Sequence, residues 1–577
     1  MNGKKFRIVG DNIDWFMGVA DQRISHSGHM QHAFGSAAIV QNMDFHHLSP
    51  VSPQRDFRFL APPDFLPSPV ELNQILWEYV ILAGRVAAQL VPAFQFLSRL
   101  LPKHIKGRYF EFEQMSQKSV VVPLPILFKN EQYYQDVVQI LDFYEEIIQD
   151  TYTAAGISLD GNLKVHCGGD QLTRERMSGG KRMRAAHDNP KERFDHVGPI
   201  TFELFHMLMN YLEMFIKRLY KDSSVRDVGT MKNMQERISR TSFKTNVKVA
   251  YEPDKQFCVS FIDTYITAVV LEYFGMETIH SKPTKHQPPE SGSKEMWTWF
   301  CKEFTALVQS YVPLFSFGQE FNGTPQEEVK VDGTVIEVRC MNGKTVKLLI
   351  PAKSPKFQEA QDHIRNYSMC VLDLGFLFKN LLDLISHPDR DRGIRLFKLA
   401  MVYFKANSNL SKYAYELLRL LVHQLCILSE QEAHEEFYGL FVNTRGHPDS
   451  FIPADLEMEH LVKITKIHIR HASSNETEKN LQKQSGAFAG IHDIAENFDA
   501  QTGTVVRSKK HSTRSSEGDE LTLLENLLQV QPFKFIPGRA HSCFPNQPKS
   551  LLESLDMLHF HSWIDSRKFA FATEIGR

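Results

Sequence analysis

Two aspartates in this chain stand directly behind glycine at the end of a short apolar run. KKFRIVGDNIDW carries Phe6, Ile8 and Val9 into Gly10-Asp11-Asn12. LKVHCGGDQLTRERMSGGKRMR carries Leu163, Val165 and Cys167 into Gly168-Gly169-Asp170. The alternation predicts two short buried strands, with the glycines turning the chain at each strand end. Carboxylates brought from separate strands to one sheet edge suit two-metal phosphoryl chemistry. Paired Mg²⁺ ions about 3.5–4 Å apart need hard oxygen ligands from several elements. Gly-Asp is also ordinary turn chemistry, and a turn aspartate is the plain alternative for each.

Basic residues crowd the chain after the second aspartate: Arg174, Arg176, Lys181, Arg182, Arg184, Lys191 and Arg193. A carboxylate beside such a cluster could hold a metal ion against a phosphate backbone. A solvated loop next to a turn is the alternative reading.

The elements that must position these groups follow from pattern. SVVVPLPILF, from Ser119 to Phe128, is β-branched and broken by prolines, which predicts an edge strand or loop entry. Gln132 to Gly156 has helical apolar spacing and ends at glycine. Glu71 to about Leu101 predicts a core helix kinked at Pro92. Ile200–Phe205 predicts a strand running into a helix with His206 and Asn210 on one face, four residues apart. From Asp263 to Glu436 the pattern is mostly helical, interrupted by a hairpin in VKVDGTVIEVRCMNGKTVKLLIP with Asp332-Gly333 and Asn342-Gly343 turns.

Composition narrows the function classes. The 577 residues suffice for more than one packed unit, and 42% hydrophobic with 23% charged residues describes a globular chain. A net charge of −2 gives no global basic field, so nucleic-acid binding must use local patches. The 7 cysteines form no CxxC pair, which argues against a disulfide framework or zinc knuckle and fits a reducing compartment. No stretch reads as the roughly 18 apolar residues of a membrane span, so no membrane partner is expected. The N-terminus opens at once on a strand with no apolar signal core, which suggests a shortened gene product.

Taken together, GDNID, GGDQLTRERMSGGKRMRAA, FELFHMLMNYLEMFIKRLYK, LFVNTRGHPDSFIPADLEMEHLVK, TEKNLQKQSGAFAGI and FIPGRAHSCFP resemble, in that order, the blocks of a eukaryotic family known as domain of unknown function 6589. The resemblance covers nearly the whole chain. The family usually carries a further N-terminal segment, which this chain lacks. The family in turn resembles cut-and-paste DNA transposases with an RNase H-like core, such as the Mutator and Kyakuja-Dileera-Zisupton groups.

That resemblance implies an α/β fold, an RNase H-like mixed sheet interrupted by a large helical insertion. It implies a first core part over 1–260, the insertion with its hairpin over 261–440 and a return to the core over 441–499. A flexible linker over 500–520 and a C-terminal segment over 521–577 would follow. The transposase pattern asks for an Asp on the first strand, an Asp after the fourth and a Glu on a later helix. Asp11 and Asp170 match the first two. Glu459 matches the Met-Glu-His block, in a helix that Asp455 can cap, with Glu457 and Glu416 as runners-up. A solvated acidic face at a helix N-terminus is the alternative there. His206 and Asn210 match the second half of a Cys-x-x-His motif, with Glu203 where the Cys would stand.

The implied activity is DNA phosphodiester cleavage and strand transfer with two Mg²⁺ or Mn²⁺ ions on Asp11, Asp170 and Glu459. Arg174, Arg176, Lys181, Arg182, Arg184, Lys217 and Arg218, with Lys221, would contact backbone phosphates. DNA is the expected partner, a homo-oligomer a further one, and the nucleus the expected location. Arg507 to Lys510 form a basic import candidate within a polar linker. Two other readings stay open: a catalytically inactive domesticated or decayed relic acting as a binding protein, and a nuclease of host origin.

Overall fold

The computed structural model of the chain describes residues 5–17, 27–105, 107, 112–159, 163–290, 292–317, 333–339, 345–351, 361–407, 410–448, 450–471, 477–503 and 516–575. The first Gly-Asp does not end its strand. β1 spans Phe6–Met17 and runs straight through Asp11. β2, His29–Val40, returns antiparallel beside it and sets Gly35 opposite Asp11. Nothing in the sequence reading anticipated this strand. β3, Val120–Pro123, is the edge strand expected from its prolines and pairs antiparallel with β2. β4, Val165–Gly169, and β5, Val197–Phe202, complete a five-stranded mixed sheet of order β3-β2-β1-β4-β5. β4, a strand as the alternation predicted, lies parallel to β1, with Ile8 opposite Cys167 and Val9 opposite Gly168.

Gly168 and Gly169 are strand residues, not a turn. A Cβ on Gly168 would run into the Glu203 carboxylate and the Arg7 guanidinium, which form a buried ion pair across the sheet face. Glycine is needed there because another pair of side chains fills the space.

The longer helices follow from caps and periodicity. α1, Pro69–Leu90, opens on a Ser68–Glu71 capping box with proline in its first turn. Pro92 ends this helix rather than kinking it, and Pro92–Arg99 is 3₁₀. α2 is Tyr134–Ala154, α3 Gln171–Met183 and α4 Leu204–Leu219. The expected helical lobe contains α5 (Val247–Phe274), α6 (Ser293–Tyr311), α7 (His363–Ser386), α8 (Arg390–Ala406), α9 (Ser411–Val422) and α10 (Glu430–Gly439). α5 begins before the expected boundary at 261. Within the lobe, β6 (Gly333–Arg339) and β7 (Thr345–Pro351) pair antiparallel. The Asn342-Gly343 turn and Asp332 lie outside the described residues.

α5 corrects the membrane reading. It is long and apolar enough to cross a membrane by length and composition, but 83% of its apolar window is buried inside the protein. A helix apolar all round is what a core position asks for.

After the lobe, β8 (Phe441–Asn443) and β9 (Phe451–Pro453) pair and lead into α11, Ala454–His471. α12 (Glu478–Ser485), α13 (Phe488–Thr502), α14 (Glu517–Leu528) and α15 (Met557–Ile575) follow. α13 and α14 reach into both ends of the expected 500–520 linker. Its Arg507–Lys510 cluster lies outside the described residues.

The two faces of β1 sort by the strand period of two. Phe6 and Ile8 pack with Val137, Ile140 and Tyr144 of α2. Val9, Ile13 and Trp15 pack with Met458, Leu461 and Val462 of α11. Asp11 has the parity of the second set, so it faces the helix that carries Glu459.

Candidate active site

Asp11 sits mid-strand on β1, beyond the point where β4 ends. Asp170 follows β4 immediately and serves as the N-cap of α3, its Oδ1 accepting from Thr173 N at 2.7 Å. The cap satisfies one of the orphan N–H groups of the first turn and fixes the side chain at the sheet edge. Glu459 comes from one turn inside α11, at the margin of that helix's buried face.

Asp11 lies within electrostatic reach of both Glu459 and Asp170. Loss of hydration first, then the negative charges of Glu459 and Asp170, raise the Asp11 pKa well above the usual carboxylate value, against the pull of His206. Of the three glutamates considered, only Glu459 has this relationship to Asp11. Glu457 pairs with His460 at 3.1 Å on another side of α11. Glu416 is buried in an ion pair with Arg174. Among the described residues no three His, Cys, Asp or Glu side chains stand together as a ready metal cage. The carboxylates are at charge–charge rather than coordination range.

His206 belongs to this cluster, and Asp455 places it there. The Asp455 carboxylate accepts from Phe205 N at 3.0 Å and His206 N at 3.1 Å, and it meets His206 Nδ1 at 3.0 Å. Asp455 was expected to cap its own helix. It caps α4 instead, where the helix dipole and two unpaired N–H groups favour an anion. His206 Nε2 then lies 3.9 Å from Glu459 Oε1. Burial opposes a charge on this ring, but the Asp455 hydrogen bond and charge, with Asp11 and Asp170 beyond, push its pKa up to about 9. Asn210 donates to the His206 carbonyl at 2.7 Å. Burial, and then the charge of Asp170, raise the pKa of the Tyr413 phenol on α9.

Glu131 was missed in the sequence. It is 2% exposed and bridges the two aspartate-bearing elements, accepting from Asn12 Nδ2 at 2.5 Å and from Thr173 Oγ1 at 2.6 Å. Burial, helped by the Asp170 charge and opposed by those two donors, pushes its pKa up to about 7. Its local sequence, KNEQYY, carries no signal of this. Only tertiary proximity to Asn12 and Thr173 reveals it.

The basic residues after Asp170 need correcting. Arg174 is 4% exposed and turned inward to Glu416, so it is not a surface phosphate contact. Arg176 lies over the Tyr134 ring at 5.1 Å. Lys181 donates to the Val197 carbonyl at 2.5 Å, and burial lowers its pKa. Arg184 pairs with Asp142 at 2.6 Å and covers the Phe194 ring. Lys217 pairs with Glu213, and Arg218 is half-buried. Helical rise puts Lys181 roughly 16 Å along α3 from Asp170. Lys181 and Arg182 occupy the last turn, where the dipole favours cations. The positive charge after Asp170 is mostly scaffold.

A family model described as "Family of unknown function (DUF6589)" matches residues 54–511, which include Asp170 and Glu459 and begin after Asp11. No curated protein and no solved structure matches the chain.

Proposed function

The chain belongs to that family of unknown function, and from its site we propose that it is a transposase-like protein that cleaves and transfers DNA phosphodiesters with an Asp-Asp-Glu set. The supporting observation is the elevated Asp11 pKa, which burial raises most and to which the charges of Glu459 and Asp170 add from two other elements. Asp on the first strand, Asp after the fourth and Glu on a later helix is the order that the RNase H-like resemblance implies. The strand order β3-β2-β1-β4-β5 is compatible with it.

Asp11, Asp170 and Glu459 would hold Mg²⁺ or Mn²⁺, two ions in the full reading. The donor chemistry fits, since three carboxylates supply hard oxygens and Asp11 is destabilised as an anion until a cation arrives, and the side chains would have to close on the ion from charge–charge range. Bound ions would activate the attacking water or DNA 3′-hydroxyl and neutralise charge developing on the phosphoryl and leaving oxygens. Before that, the protonated His206 ring, oriented by Asp455, offsets the acidic cluster. Glu131 ties Asn12 to Thr173 and so keeps β1 and the start of α3 in register.

The lack of a ready cage among the described residues favours a second reading, a catalytically silent relic that acts as a binding protein. Calorimetry with Mn²⁺ separates the two. The proposal expects binding by the wild type that Asp11→Asn and Asp170→Asn each abolish. Wild-type protein that takes up no Mn²⁺ supports the relic.

A further inference from the structure

With Arg174 buried and Arg176 and Lys181 engaged in contacts of the scaffold, a polyanionic strand needs a track beyond most of the α3 cations. α11 carries Lys463, Lys466 and Arg470 four, seven and eleven residues after Glu459. At helical geometry these four side chains fall within about 60° of one another, on one stripe beside the buried face. Lys463 and Arg470 are exposed and Lys466 half-buried. None of the three cations has an ion-pair partner among the described residues, whereas Glu457 and His460 on the same helix pair with each other. Lys463 stands at the i+4 spacing that would let it pair with Glu459, yet Glu459 Oε1 is turned toward His206.

Three unpaired cations at successive turns repel one another, a cost that an isolated helix surface avoids by interspersing acids. An external polyanion removes that cost. We propose that the Lys463–Lys466–Arg470 stripe is the track for the phosphate backbone of a DNA strand, leading it from the surface of α11 to the carboxylates. The stripe spans roughly 10 Å, the length of about three phosphates along one strand. The proposal rests on the DNA-cleaving reading and names the surface that reading lacks.

The test is binding of a fluorescent DNA duplex by the full-length chain in EDTA, across a salt series. Substituting Lys463→Ala, Lys466→Ala and Arg470→Ala together should lower affinity at least tenfold and reduce the log–log salt slope by about 2–3. Lys463→Arg with Lys466→Arg should retain the wild-type slope. A charge-matched control, Arg99→Ala with Lys294→Ala and Lys534→Ala, should bind as wild type. An unchanged slope in the stripe variant, or an equal loss in the control, overturns the track. Wild-type nicking with Mg²⁺ alongside an unchanged slope would overturn the track alone. Loss of binding with the stripe in a protein that never nicks would support the track and remove the cleavage reading.

Discussion

The two ring nitrogens of His206 face two different carboxylates: Nδ1 lies 3.0 Å from Asp455 Oδ2, and Nε2 lies 3.9 Å from Glu459 Oε1. One contact anchors the ring and the other directs its charge into the acidic cluster. A histidine held near pKa 9, against 6.5 when free, stabilises the fold fully below about pH 6.5. That contribution is lost as pH rises through about 9. In EDTA, unfolding free energy should therefore fall by about 3 kcal/mol across this window. His206→Gln should flatten that part of the curve. A wild-type curve already flat there would remove the charged ring from the account.

Asp11 carries the opposite trade. Its raised pKa means that the folded state disfavours the carboxylate, so ionisation costs stability as pH rises through that pKa. Asp11→Asn should melt higher than wild type in EDTA at pH 8, and gain nothing from added Mg²⁺. Wild type should gain stability with Mg²⁺ by mass action. Differential scanning calorimetry with and without the ion reads both differences. A lower melting temperature for Asp11→Asn in EDTA would show that the carboxylate is structural.

Much of this arrangement was written locally in the chain. The alternation in Phe6–Val9 and Leu163–Cys167 is enough to predict two strands, which the structure pairs in parallel, and the Gln132–Gly156 periodicity is enough to predict α2. β2 was hidden because HMQHAFGSAAIV buries small residues and glycine without a clean period. Its burial depends on β1 and α11, not on its own pattern. The fate of Arg174 and the role of Asp455 were illegible for another reason. A charge run reads as surface until its partners are placed, and Glu416 lies 242 residues from Arg174. Asp455 caps a helix 249 residues away, so no local capping rule could assign it.

The Arg174–Glu416 ion pair joins α3, which Asp170 begins, to α9 of the helical lobe. Both side chains are buried, so losing Glu416 removes the buried countercharge that faces Arg174. Glu416→Ala should cost about 3–5 kcal/mol of stability, whereas Arg174→Met with Glu416→Leu should recover most of it. Urea unfolding of the three proteins checks this. A single variant within about 0.5 kcal/mol of wild type would show that the pair does not hold the lobe to the site.

The central claim is that Asp11, Asp170 and Glu459 form one phosphodiester-cleaving site. Its most direct test is nicking of supercoiled plasmid in Mg²⁺ or Mn²⁺ by wild type, Asp11→Asn, Asp170→Asn, Glu459→Gln and Glu457→Gln. The account predicts metal-dependent nicking by wild type and Glu457→Gln, and a loss of at least a hundredfold in each of the other three. Nicking by Asp170→Asn or Glu459→Gln at the wild-type rate, or no nicking by wild type in either metal, would contradict it.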